Sequence, residues 1–190
     1  MRLTTYSRVQ IGLSMSSSTE GPHYSDLTIK PFTAADLSTV AYDWVDRAGS
    51  DEFEVELSAV FEWCADHLVP LPGTGHAMQV YNTKHGRTQA ILEMVDGKMG
   101  TMSKLLKIWV SPEFWPADRD PSVRTGFKEL YAGILVNVIG DGMSKGTEEI
   151  RIYGRTEALL TILSALQSEW GVLNSPMSAT MEGRWFVLRK

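Results

Sequence analysis

The sequence is poor in the residues that most chemistry is built from. It has one cysteine, Cys64, and four widely separated histidines, His23, His67, His76 and His85. A lone thiol excludes an internal disulfide and a cysteine-rich zinc site, and suits a reducing compartment. No histidine pair has metal-ligand spacing, so no metal is expected. There is no G-x-S-x-G elbow, no Walker loop and no C-x-x-C pair. Long apolar runs are also missing. The richest, Tyr131–Ile139, is broken by Asn137 and is too short to span a bilayer. Near the start, Arg2 and Arg8 precede only Ile11-Gly12-Leu13 among serines, so no signal peptide is expected. Positive charge is not in excess: 18 Lys and Arg stand against 23 Asp and Glu, a net charge of -5. That balance excludes a general attraction to nucleic acid or anionic lipid.

What is present describes a folded protein. Hydrophobic residues make up 43% and charged residues 22%, enough apolar material for a core in a chain of 190 residues. Residues 1–25 are set apart by Ser14, Ser16, Ser17, Ser18, Thr19, Gly21 and Pro22. That is loop chemistry, with no helical or strand period long enough to assign, so an extended N-terminal arm is expected ahead of one domain at 26–190.

Period and punctuation then give the order of elements. Leu27, Ile29 and Pro31 alternate with polar residues as in a half-buried strand. Thr33 and Asp36 suit a helix start, and Leu37, Val40, Ala41, Trp44 and Val45 form one helical stripe to about Arg47. A second helix is expected from about Glu52 to Leu68, with Val55, Phe61, Cys64 and Leu68 inward, before Pro70, Pro72 and Gly73 end it. Three strands follow: 76–81, 88–95 and 105–112, the first two as an antiparallel hairpin. Pro121 opens a long helix to about Met143 whose inner face carries Val123, Phe127, Leu130, Tyr131, Ile134, Leu135 and Val138. A strand at 149–153, a helix at 157–170 and a last strand at 181–189 complete the chain. Early antiparallel strands and a late strand–helix–strand crossover predict a mixed α/β (α+β) sheet with helices on both faces, in the order β-α-α-β-β-β-α-β-α-β.

Three stretches carry a family resemblance: Ile29-Lys-Pro-Phe-Thr-Ala-Ala-Asp-Leu37, Ile108-Trp-Val-Ser-Pro-Glu113 and Arg151-Ile-Tyr-Gly-Arg155. With the element order, they make about 165 residues resemble the GNAT (Gcn5-related N-acetyltransferase) superfamily. The resemblance implies a GNAT-like fold and, in an active member, acetyl-CoA. It also implies a glycine-rich turn after the fourth strand, whose N–H groups hold the diphosphate of the cofactor. Here that segment reads Phe114-Trp-Pro-Ala-Asp-Arg-Asp-Pro-Ser-Val-Arg-Thr-Gly-Phe127. Asp118 and Asp120 would repel phosphate, and Gly126 already falls inside the helix.

Carried over residue by residue, the resemblance places cofactor contacts at Val110, Arg119, Arg124, Thr125 and Gly126. It makes Glu93 the candidate general base, with Leu92 and Met94 as apolar neighbours that would raise its pKa. Glu62 and Glu113 are weaker candidates. The tyrosine that protonates CoA sulfur in many members has no counterpart between Thr156 and Trp170, which leaves Tyr153 on the preceding strand. Trp115, beside Pro112, and Arg184 with Trp185 on the last strand are candidate interface residues.

The expectation is a GNAT-like protein with an eroded acetyl-CoA site, serving as a non-catalytic binding or assembly module. It resembles the degenerate GNAT-like proteins of bacteriophages, including internal virion proteins. Such a module needs no cofactor; its partner is a protein or assembly docked through the arm, without nucleic acid or membrane, and an oligomer is open. Its location would be cytoplasmic, or inside a virus particle assembled there. The alternative is an acetyl-CoA-dependent N-acyltransferase with an atypical phosphate loop.

Overall fold

The computed structural model describes residues 26–48, 51–97, 99–118, 120–173 and 175–190. The arm at 1–25 and Arg119 lie outside the described residues. The chain builds one seven-stranded mixed sheet, in the order β1-β2-β3-β4-β5-β7-β6. Its strands are β1 (Leu27–Pro31), β2 (Gly75–Asn82), β3 (Arg87–Asp96), β4 (Met102–Val110), β5 (Glu149–Tyr153), β6 (Ser178–Glu182) and β7 (Trp185–Arg189). Helices α1 (Ala34–Ala48) and α2 (Asp51–Asp66) connect β1 to β2; α3 (Pro121–Ser144) and α4 (Glu157–Trp170) flank β5. All neighbouring strands are antiparallel except β4 and β5. This is the mixed arrangement with helices on both faces that the sequence pattern predicts.

The helix starts are written in the sequence. At α1, Asp36 N–H donates to Thr33 Oγ1 (3.1 Å) while Thr33 N–H donates to Asp36 Oδ2 (3.2 Å), a reciprocal cap. Thr156 accepts from Leu159 N–H to open α4. Each face of the sheet has its own core. One joins α3 and α4 to β2–β5 and β7 through Val80, Leu92, Leu105, Ile134, Ile150, Leu163 and Phe186. The other joins α1 and α2 to β2 and β3 through Trp44, Leu57, Cys64, Ala77 and Ile91. Burial pushes the Cys64 thiol up to about 12, so it packs as an apolar group.

Some expectations need correction. Val55 is 74% exposed, and Leu57 takes the inward place in α2. Val45 also turns outward on α1. Counting i, i+3, i+7 from Leu57 reaches Val60 and Cys64, which gives the stripe its true phase. The end of the chain holds two strands. Gly183 adopts φ +62, which permits a tight turn between β6 and β7. Strand β7, with Trp185, consequently lies between β5 and β6, and β6 takes the edge.

Candidate functional site

The site is the place where the one parallel pair among the described strands comes apart. Strands β4 and β5 pair only from Met102↔Glu149 to Leu105↔Ile152. Beyond that, β4 runs on to Val110 while β5 ends at Tyr153. Residue Leu106 is skipped in the β3–β4 register, which passes from Met94↔Leu105 to Glu93↔Lys107, so a bulge bends β4 where the two strands separate. The outcome is a gap bordered by residues 106–110.

The main chain of β4 presents an edge to this gap. Ser111 N–H donates to Gln89 C=O (2.9 Å), which turns the peptide groups of Ser111 toward β3. Alternation then turns those of Val110 and Ile108 toward the gap. The Val110 carbonyl is already taken: the Trp115 indole N–H donates to it at 3.1 Å. Trp115 is half-buried against the α1/α2 core.

Around the gap, the candidate base lies on the α1/α2 side of the sheet. Glu93 pairs with Ala77 on β2 and Lys107 on β4. Its supposed apolar neighbours, Leu92 and Met94, pack in the core of the opposite face. Strand alternation separates them from the carboxylate, so the environment inferred from adjacent sequence does not apply. The true neighbours come from other elements. A Cβ on Gly75 would stand 3.4 Å from Glu93 Oε1 and 3.7 Å from Trp63. Trp63 lies 5.1 Å from Trp109, and Lys107 Nζ sits 4.7 Å from the Trp109 ring. Sequence reading missed Lys107 and Trp63 in this cluster. The only local signal for Lys107 was strand alternation with Trp109.

His67 backs the cluster. Its ring stacks on Trp63 at 4.7 Å, and Nδ1 lies 2.7 Å from Trp63 C=O. A carbonyl can only accept, so Nδ1 carries a proton.

Tyr153, the candidate acid, follows the last β4–β5 pair on the same sheet face as Glu93. Its ring lies 4.9 Å from Trp185. Strand β4 lies between it and Glu93. Tyr131 is a different buried phenol, on α3; burial pushes it up to about 12.

The segment after β4 leads into a capped helix entrance. A 3-10 turn (Pro112–Asp118) leads into α3. Asp120 caps that helix: its Oδ1 accepts from Ser122 N–H (2.8 Å) and Ser122 Oγ (2.6 Å). Those bonds hold the Asp120 carboxyl below its ordinary value. Pro121, the first helical residue, has no N–H, while Val123 and Arg124 donate theirs to Asp120 C=O. Thr125 and Gly126 come later in the helix. A Cβ at Gly126 would meet only Phe114, at 3.6 Å. Arg124 Nε donates to Ala117 C=O. Among the described residues of this segment, the N–H groups of Ser122, Val123 and Arg124 are all taken by Asp120.

Glu113 is tied up in structure. It receives Arg47 at 2.7 Å and Arg87 at 2.9 Å, which staples the 3-10 turn to α1 and β3. Glu62 is exposed on α2. Arg184 is also engaged within the chain, donating to Gly154 C=O, Arg155 C=O and Glu157. It clasps the β5–α4 turn.

Among the described residues, no cluster of His, Cys, Asp or Glu could hold a metal ion, and no helix is long and apolar enough to cross a membrane.

No family model and no curated protein matches the sequence. Solved structures do. An acetyltransferase of the GNAT family from Staphylococcus aureus is 11% identical, covering 86% of this chain and 98% of its own, with TM-score 0.39. Mutant forms of the spermidine/spermine N-acetyltransferase of Vibrio cholerae are 14% identical over 87% and 92%, with TM-score 0.45. An acetyltransferase from Thermus thermophilus is 11% identical over 86% and 97%, with TM-score 0.41. Likeness at this level assigns no activity here. The architecture rests on the strand order and the β4–β5 separation described above.

Proposed function

We propose that this chain is a GNAT-like binding or assembly module that does not use acetyl-CoA and meets a protein partner through its N-terminal arm. The observation that carries this reading is Asp120. Where an acyl-CoA enzyme would offer peptide N–H groups to a diphosphate, this helix has already given them to its own carboxylate and carbonyl. A second anionic group there would meet like charge with few donors left. A role inside a phage particle is the specific form of this reading that the arm-plus-domain layout suggests.

One observation favours a second reading, an N-acyltransferase with an atypical phosphate contact. The gap beside β4 is retained, and Glu93 stands on a half-buried face beside Lys107. Titration calorimetry with acetyl-CoA separates the two. The module reading expects no heat of binding at micromolar protein. Saturable micromolar binding that weakens on Arg124→Ala would replace it with the enzyme reading.

A further inference from the structure

We propose that β6 is a docking edge for a second copy of this chain, which adds its own β6 antiparallel about a twofold axis at Thr180. The contact uses no residue of the arm and goes beyond the module reading, so either can fail without the other.

The directions of the main-chain hydrogen bonds leave β6 open. Gly154 N–H donates to Arg184 C=O and Lys190 N–H to Glu148 C=O, at 2.8 and 3.0 Å. The even-numbered peptide groups of β7 therefore face β5, and those of Trp185, Val187 and Arg189 face β6. Their partners Glu182, Thr180 and Ser178 bond inward, which turns the N–H and C=O groups of Ala179 and Met181 outward. None of these outward groups has a hydrogen-bond partner among the described residues. The opposite edge, β1, carries Lys30 and Pro31, residue types that discourage pairing. Strand β6 has no lysine, no proline and no bulge against β7. Such an edge invites an added strand, because main-chain hydrogen bonding needs no particular side chain.

The strand is complementary to itself. Paired antiparallel about Thr180, Ala179 lies opposite the second copy's Met181, and the two exchange both main-chain hydrogen bonds. Thr180 meets its own counterpart in a non-bonded pair, with Cα atoms about 4.5 Å apart. A threonine pair across strands is favourable. The faces also match. Ala179 and Met181 are partly buried against the α3/α4 core, while Ser178, Thr180 and Glu182 are exposed on the other side. Glu182 lies opposite Ser178 rather than another carboxylate, and Arg189 already pairs with it at 2.6 Å. No like charges are brought opposite one another, and this commits the edge to a second copy.

Analytical ultracentrifugation of the full-length protein tests this with Thr180→Lys and Thr180→Glu. Thr180 is exposed, so neither change disturbs the core. Wild type at micromolar concentration should sediment at twice the chain mass of 21.2 kDa. Each variant alone should associate about tenfold more weakly or worse, because like charges meet at the axis. An equimolar mixture of the two should recover the wild-type mass. Amide exchange gives the location: on raising the concentration, the Ala179 and Met181 amides should slow by about tenfold. Thr180 N–H, bonded to β7 in either state, should change less. A single-chain mass for wild type would overturn the proposal and leave the edge to the arm or to a different protein. A dimer that both charge variants leave intact, that mixing does not restore, or that leaves the Ala179 and Met181 amides unprotected would overturn it as well.

Discussion

Asp120 Oδ1 accepts from both the backbone N–H and the hydroxyl of Ser122, at 2.8 and 2.6 Å. One carboxylate oxygen thereby closes the entrance of the longest helix. Replacing it by alanine leaves the Ser122 N–H to water and should lower Tm measurably, whereas Asp120→Asn should keep most of the cap. Because these hydrogen bonds depress the Asp120 pKa below 3.8, its contribution is complete above that value and is lost as pH falls through the folded pKa. Thermal melts of the three proteins across acid pH should converge at the low end. Parallel melting curves would rule out the cap as their source.

The Glu113 staple makes the second prediction. Glu113→Ala leaves Arg47 and Arg87 without their shared carboxylate, and Arg87 Nε is already buried without a partner among the described residues. The pairs are partly solvated, so the loss should be about 1–2 kcal/mol, below that of a fully buried pair. Urea unfolding measures it. An unchanged midpoint would show that the bonds are replaced by water.

Gly154 is needed for close approach. A Cβ there would stand 2.9 Å from Leu160 Cδ1, 3.2 Å from Arg184 C=O and 3.3 Å from Leu160 Cα. Two of these three walls are backbone and cannot swing away. Gly154→Ala should therefore destabilise by about 1–3 kcal/mol, the usual range for overpacking. At Gly126 the new methyl meets only Phe114, at 3.6 Å, so Gly126→Ala should not destabilise. Comparing the two by denaturant titration checks the contrast.

His76 supplies a pH dependence. It is buried on β2, with Nε2 3.7 Å from Asp96 Oδ2 and Nδ1 without a hydrogen-bond partner among the described residues. Burial holds its pKa below 6.5; Asp96 pulls it upward and Lys145 presses it down. Above 6.5 the imidazole is neutral whether folded or unfolded. As pH falls below 6.5, the unfolded chain takes up the proton first, so stability drops until the depressed folded pKa is passed. Wild type should lose more stability than His76→Leu over that window, measured by urea midpoints. Equal losses would exclude His76 as the cause.

Elements whose character repeats along the chain were legible: the capped α1, the β2–β3 hairpin, α3 behind Pro121, and α4 at 157–170. The capped, proline-led entrance to α3 was legible too, since proline and aspartate at a helix entrance have local consequences. The base environment was not. Adjacent residues on a strand face opposite ways, so Leu92 and Met94 said nothing about Glu93, while Trp63, Gly75 and Lys107 arrive from three other elements. What Arg184 and Glu113 bind within the chain was not legible for a related reason. Their partners are far along the chain and no short motif encodes them.

The sequence by itself determined the secondary elements, the two apolar face patterns and the acidic entrance to α3, because each depends on neighbours within a few residues. Only the tertiary structure decided where β4 parts from β5, that β7 is interior, and which side chains surround Glu93. Those features depend on strand register, and register is set by the packing of whole faces against helices far away in the chain.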